Sequence, residues 1–189
     1  MLQTSRKAGQ ISRTRQQIEA ALFALLQEQD LLEISVINLC EVAGVGRQTF
    51  YRHYADKEDV IRSRMQGIFD EYLTSLQTEE SASWDVEFVN LETLRVWKAH
   101  RDFFILTAKP SVQGVIFSEM DRMMDKMVSA NLAHSQIDPL LRVFRHWGMK
   151  GVLLAWAQSG MRQSPEEINA ILKAANDSPT TQSRTTHAG

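Results

Sequence analysis

Between Gly46 and Tyr54 the chain places Arg47, Gln48, Thr49, Tyr51, Arg52 and His53 within seven residues, with no carboxylate among them. A guanidinium and a carboxamide can each form paired hydrogen bonds with the edges of guanine and adenine. Hydroxyl, phenol, imidazole and ammonium groups suit phosphate oxygens, which fix position without reading sequence. On this basis Arg47 and Gln48 are assigned to base edges, and Thr49, Tyr51, His53 and Lys57 to phosphate. Ser35 opens a short helix whose hydroxyl and free backbone amides offer one more phosphate contact. Arg13 and Arg15 lie upstream, within reach of a flanking backbone or minor groove.

Such a face needs two short helices held at a wide angle by a tight turn, with apolar residues pointing inward from both. Ala43-Gly44-Val45-Gly46 is the turn. Ser35 is the expected N-cap of the first short helix, which Gly44 stops. Leu39, Val42, Val45 and Phe50 are expected to pack together, with Cys40 in a small inward position.

The rest of the chain reads as helix. Its 189 residues include only four prolines, Pro110, Pro139, Pro165 and Pro179, and the stretches between them are rich in Leu, Ala, Glu, Gln, Arg and Met. Ile18, Leu22, Leu25 and Leu26 share one face of a first helix that runs from Ile11 to about Gln29. Asp56 caps a long fourth helix carrying Ile61, Met65, Ile68, Phe69, Tyr72, Leu73 and Leu76. Further helices are expected at about Trp84 to His100, Ser111 to Leu132 and Pro139 to Ser159. A last one, announced by Ser164-Pro165-Glu166-Glu167, should run to about Ala175. The expectation is an all-α chain of about nine helices: a flexible N-terminal arm over 1–10, a helix-turn-helix domain over 11–60, a helical ligand-binding and dimerisation domain over 61–175, and a disordered tail over 176–189.

Composition narrows the function classes. A formal charge of −2 and a sequence pI near 6.2 rule out a generally basic nucleic-acid binder, so any DNA contact must be local. The single cysteine, Cys40, excludes a disulfide framework and reads as a small core residue in a reducing, cytoplasmic setting. No apolar run suggests a signal peptide or membrane span. The five histidines show no metal-ligand spacing, no cofactor is expected, and no nucleophile, base or phosphate loop points to catalysis.

The run Val42-Ala43-Gly44-Val45-Gly46-Arg47-Gln48-Thr49-Phe50-Tyr51-Arg52-His53-Tyr54, followed by Lys57-Glu58, resembles the signature of the tetracycline-repressor (TetR) family over residues 11 to about 62. The resemblance implies DNA contacts at Ser35, Arg47, Gln48, Thr49, Tyr51, His53 and Lys57. Gly46 departs from it, standing where the family often has a small polar residue to cap the recognition helix. The later stretch Trp147-Gly148-Met149-Lys150-Gly151-Val152-Leu153-Leu154-Ala155-Trp156, with Gly160 and Ser164-Pro165-Glu166-Glu167, resembles a carboxy-terminal subgroup common in low-GC Gram-positive bacteria. That resemblance implies a homodimer built from the last two helices, with Trp147, Gly148, Gly151, Val152, Leu154 and Ala155 at the interface. Gly148 and Gly151 are small residues on one face and would permit close approach of helices.

Met120, Met123, Met124 and Met127 recur at helical spacing and read first as core. Methionine also adapts to irregular apolar ligands, so Trp97, His100, Phe103, Phe104, Met120 and Met124 are the candidate lining of a pocket. The combined expectation is a homodimeric regulator, most often a repressor in this family, that binds a palindromic DNA operator under control of a small-molecule effector. A regulator of the same fold that answers to a protein partner is the alternative.

Overall fold

The computed structural model describes residues 2–77, 86–129 and 138–177, with residues 2–10, 77 and 176–177 described by backbone alone. Among them the chain forms α1 (Leu2–Glu28), α2 (Val36–Ala43), α3 (Arg47–His53), α4 (Lys57–Gln77), α5 (Val86–Ala99), α6 (Arg101–Phe104), a 3-10 turn (Ile105–Ala108), α7 (Pro110–Ser129), α8 (Pro139–Gln158) and α9 (Pro165–Asp177). No strand occurs among the described residues.

Local chemistry sets most helix ends. Ser35 Oγ accepts from the Asn38 amide at 3.0 Å, and Gly44, at φ 65°, turns its amide back to Cys40 and Glu41 to stop α2. Asp56 Oδ1 accepts from the Asp59 amide at 2.6 Å, while Asp59 accepts from the Ala55 amide at 3.0 Å. Asp138 accepts from the Leu140 and Leu141 amides ahead of Pro139. Ser164 and Glu167 exchange reciprocal bonds of 3.1 and 2.8 Å, the capping box expected from their spacing.

One apolar core runs through the described chain. α1 packs on α2 and α4, α4 on α5 and α7, and α9 on α5, while the 3-10 turn packs on α7 and α8. Near the amino terminus Ile18, Leu22, Leu26, Leu39, Phe50 and Ile61 are fully buried; further on Leu94, Phe104, Ile116 and Leu153 are. Polar ties reinforce the junction: Lys109 Nζ donates to the Gln29 carbonyl at 2.8 Å, and Ser111 Oγ donates to Asp30 at 2.9 Å.

Several sequence expectations require correction. Residues 2–10, read as an arm outside any helix, carry helical backbone continuous with α1, since this stretch holds no proline and only Gly9 opposes propagation. Val42 is 51% exposed; Ala43 takes the inward position beside Leu39 and Cys40. The helix expected to end at His100 is followed at once by α6 and the 3-10 turn, which bring the chain to α7. α9 runs to Asp177, two residues beyond its expected end. The expected helix edges at Trp84 and Leu132, and the tail beyond 177, lie outside the described residues.

Candidate nucleic-acid interface and interior cavity

α3 is short, and one residue anchors it. Phe50 is buried against Tyr54, ring centroids 5.9 Å apart, which leaves Arg47, Gln48, Tyr51 and Arg52 exposed and Thr49 and His53 half-buried. Arg47, Gln48 and Arg52 have no hydrogen-bond or ion-pair partner among the described residues, so their donors are open to an incoming ligand. Gly46 precedes α3 in an extended conformation and offers no side chain to the helix's first amides. At the other end Tyr54 is buried; its hydroxyl donates to Glu19 at 3.1 Å and receives Arg15 Nε at 3.4 Å.

Of the residues expected on or beside DNA, Lys57 and Arg15 have partners within the chain and His53 is half-buried. The Lys57 ammonium donates to the Leu31, Ile34 and Leu32 carbonyls at 2.5, 2.7 and 3.4 Å, so it ties α4 to the loop before α2. His53 Nε2 is buried and meets no partner among the described residues, and burial, reinforced by Arg52 and Arg15, holds its imidazole below the usual histidine range. Arg15, besides its contact with Tyr54, donates to Ser63 on α4 at 2.5 Å, and hydrogen bonding to Tyr54 raises its pKa. Ser35, Arg47, Gln48, Thr49 and Tyr51 remain on accessible surface, as does Arg13. Ser35 and Lys57 also line one shallow groove, together with Asp56 and Glu58.

A cavity of about 130 Å³ opens between α4, α5, α7 and α8. Of the expected lining residues, Trp97, Phe104, Met120 and Met124 are there. Trp97 stacks on Phe104, ring centroids 3.9 Å apart and planes within 9°. His100 and Phe103 are not there. His100 sits between Glu71 (2.7 Å) and Arg64 (3.1 Å) on α4, while Phe103 turns to Phe23 of α1 at 5.3 Å. Both lie where α5 gives way to α6, and that break shifts the helical phase. The sequence reading missed the contributions of α4 (Met65, Phe69, Tyr72) and of α8 (Arg142, Arg145, His146). The α4 residues belong to an apolar stripe already visible in the sequence, most of which is buried core.

α8 presents an apolar face to solvent. Leu140 is 81% exposed, Phe144 72% and Trp147 61%, and the row continues through Gly148, Gly151 and Ala155, all exposed. A Cβ added at Gly148 or Gly151 would meet nothing within 4 Å, so nothing among the described residues requires glycine there. Val152 and Leu154 are half-buried, and Val152 packs on the core. On the inner face Lys150, 1% exposed, pairs with Asp121 of α7 and lies over the Trp147 ring at 4.5 Å.

Among the described residues no cluster of His, Cys, Asp and Glu is poised for a metal, and no helix is long and apolar enough to cross a membrane. Cys40 is buried, and burial pushes its thiol pKa up.

A glycine-turned helix pair with an open cationic and amide face, carried on a larger helical body with a cavity, is a helix-turn-helix architecture. Residues 85–177 match the family described as "Transcriptional regulator C-terminal region" of the TetR type. The HTH-type transcriptional regulator YxbF of Bacillus subtilis is 24% identical over 162 residues, covering 81% of this chain and 42% of that protein. An HTH-type transcriptional regulator of Staphylococcus aureus is 29% identical over 87 residues, covering 44% of this chain and 47% of that protein. The chain thus spans about half the length of the curated relatives it matches. A TetR transcriptional regulator structure from Streptococcus agalactiae superposes with TM-score 0.59 at 21% identity, covering 89% of this chain and 96% of that one. Over residues 85–177 the chain is thus similar to the carboxy-terminal region of TetR-type transcriptional regulators, and its fold is that of the superposed regulator structure.

Proposed function

We propose that the protein binds a palindromic DNA operator as a homodimer, represses from it, and is released or retuned by an effector in the interior cavity. The observation that carries this reading is the α3 face, where the side chains of Arg47, Gln48 and Arg52 are exposed without partners among the described residues, opposite the buried Phe50. Helices that dock in the major groove present such donors at their amino-terminal end.

The α8 face supports the homodimer. Large apolar side chains beside two glycines are costly in water, and a second copy of the same helix would cover them at close approach. Effector control rests on α4, which begins beside α3 and lines the cavity through Met65, Phe69 and Tyr72. Its Arg62 lies 3.2 Å from Asp56 and 4.0 Å from Glu119, a buried carboxylate on α7 that Arg122 also holds at 3.1 Å. An occupant that separates α4 from α7 would pull on this bridge and turn the start of α4, on which α3 depends.

Selection of bound DNA from a random pool tests the reading. An inverted repeat with half-sites about one helical turn apart is expected. Recovery of no inverted repeat would refute it.

A further inference from the structure

The wall of the cavity has two chemistries. Methionines of α7 and aromatic rings of α4, α5 and α6 make most of it apolar, and such side chains re-pack around an irregular shape. The α8 side is different: Arg142, Arg145 and His146 line the cavity there, and no Asp or Glu is among its lining residues. His146 is already held by Asp121, 2.7 Å from its Nε2, and that carboxylate also takes Lys150. Arg142 and Arg145 are half-buried, and their guanidiniums have neither hydrogen bond nor ion pair among the described residues.

Two partly desolvated guanidiniums facing an apolar space lack the countercharge that would normally offset their loss of water. A carboxylate is the acceptor whose geometry a guanidinium matches with two parallel bonds, and in a low-dielectric site such a bond is stronger than in water. A neutral ligand would leave both groups unpaired, and a cation would be repelled by them.

We infer that the cavity takes an amphipathic anion, with its apolar body among the methionine and aromatic side chains and a carboxylate head group at Arg142 and Arg145. This rests on the reading of the cavity as the effector site, and it specifies the charge and shape of what that site accepts.

The test uses the full chain and three probes of equal tail length, kept below their micelle concentrations: dodecanoate, dodecanol and dodecyltrimethylammonium. Binding is measured by calorimetry. Dodecanoate should bind at least about tenfold more tightly than dodecanol, with the cation weakest. The Arg142→Ala/Arg145→Ala variant should bring dodecanoate down to the level of the alcohol and leave the alcohol within about twofold. The Arg142→Lys/Arg145→Lys variant should restore part of the preference and covers the case in which the alanine variant folds poorly. Equal binding of the acid and the alcohol, tightest binding of the cation, no binding of any probe, or a preference that survives both alanines would each overturn the inference. Titration of the selected operator with saturating dodecanoate separates the two readings. Charge-selective binding that leaves DNA affinity unchanged would sink effector control and leave the ligand assignment standing.

Discussion

Replacing Lys57 with methionine separates two roles that the same residue could play. The ammonium donates to three backbone carbonyls of the loop between α1 and α2, and methionine would keep the apolar stem while removing every donor. A hydrogen bond to a charged donor contributes about 1.5 to 3 kcal/mol, and the partner carbonyls of Leu31 and Ile34 belong to buried residues. Water can reach part of this half-exposed site, so the net loss should be about 2 to 3 kcal/mol. For a chain of this size that corresponds to a fall in Tm of roughly 4 to 12 °C. Thermal and urea unfolding of both proteins measure it. Binding to any duplex DNA across a salt series then reports the number of phosphates neutralised, because each contact contributes about 0.9 to the slope of log affinity against log salt. The variant should lose stability and keep its slope. An unchanged Tm with a slope reduced by about one would show that Lys57 holds phosphate and that its contacts to the loop contribute nothing.

Arg47→Ala should weaken operator binding by about 1 to 3 kcal/mol and relax base preference at one position, read by competition among operator variants. Gly46→Ser should raise stability by about 0.5 to 1 kcal/mol, since φ of −73° suits any residue, a Cβ meets nothing within 4 Å, and the hydroxyl can accept from the first turn of α3. Unfolding by urea measures that gain. Gly148→Leu/Gly151→Leu should leave the protomer folded, because both positions are open, and should shift sedimentation toward the monomer by blocking helix approach. Burial pushes the Asp121 carboxyl up, but the hydrogen bonds and charges of Lys150 and His146 together outweigh it and hold the group below its usual range. A folded-state pKa below the unfolded one gives stability that is complete above about pH 4 and is lost as pH falls through the folded value. Asp121→Asn should flatten that acid limb in pH-dependent unfolding, while lowering stability at neutral pH by leaving Lys150 buried without its carboxylate.

The sequence was most legible where the chemistry is local. Ser35, Asp56 and the Ser164-Glu167 pair accept from amides within a turn of themselves, and Gly44 donates its own amide back to Cys40 and Glu41, so their positions alone announce the helix ends that the structure shows. Phe50 was legible as the inward anchor of α3 because it is the one wholly apolar side chain on that seven-residue helix. Three-dimensional partners were not legible. Nothing near Lys57 in the sequence indicates that carbonyls more than twenty residues upstream will take all its donors. Nor does the spacing of Arg15 disclose Ser63 and Tyr54 as its partners. The cavity was half legible: the methionine stripe and the Trp97/Phe104 pair line it, whereas Phe103, one residue from Phe104, faces α1. Which of two adjacent rings turns inward depends on how α6 is seated, and that depends on elements far along the chain.

The bonds from Lys109 and Ser111 to the end of α1 also bear on how such proteins can be recombined. A helix-turn-helix segment excised near residue 60 and joined to another helical body would leave Asp30 and the Gln29 carbonyl facing a surface without matching donors, and Val60 and Ile61 would need new apolar neighbours. Lys109 and Ser111 thus key α7 to the end of α1. Chimaeras that exchange the head should work only when the donor body carries a cation and a hydroxyl at the start of its own equivalent of α7, a rule that can be applied by inspection before any chimaera is made.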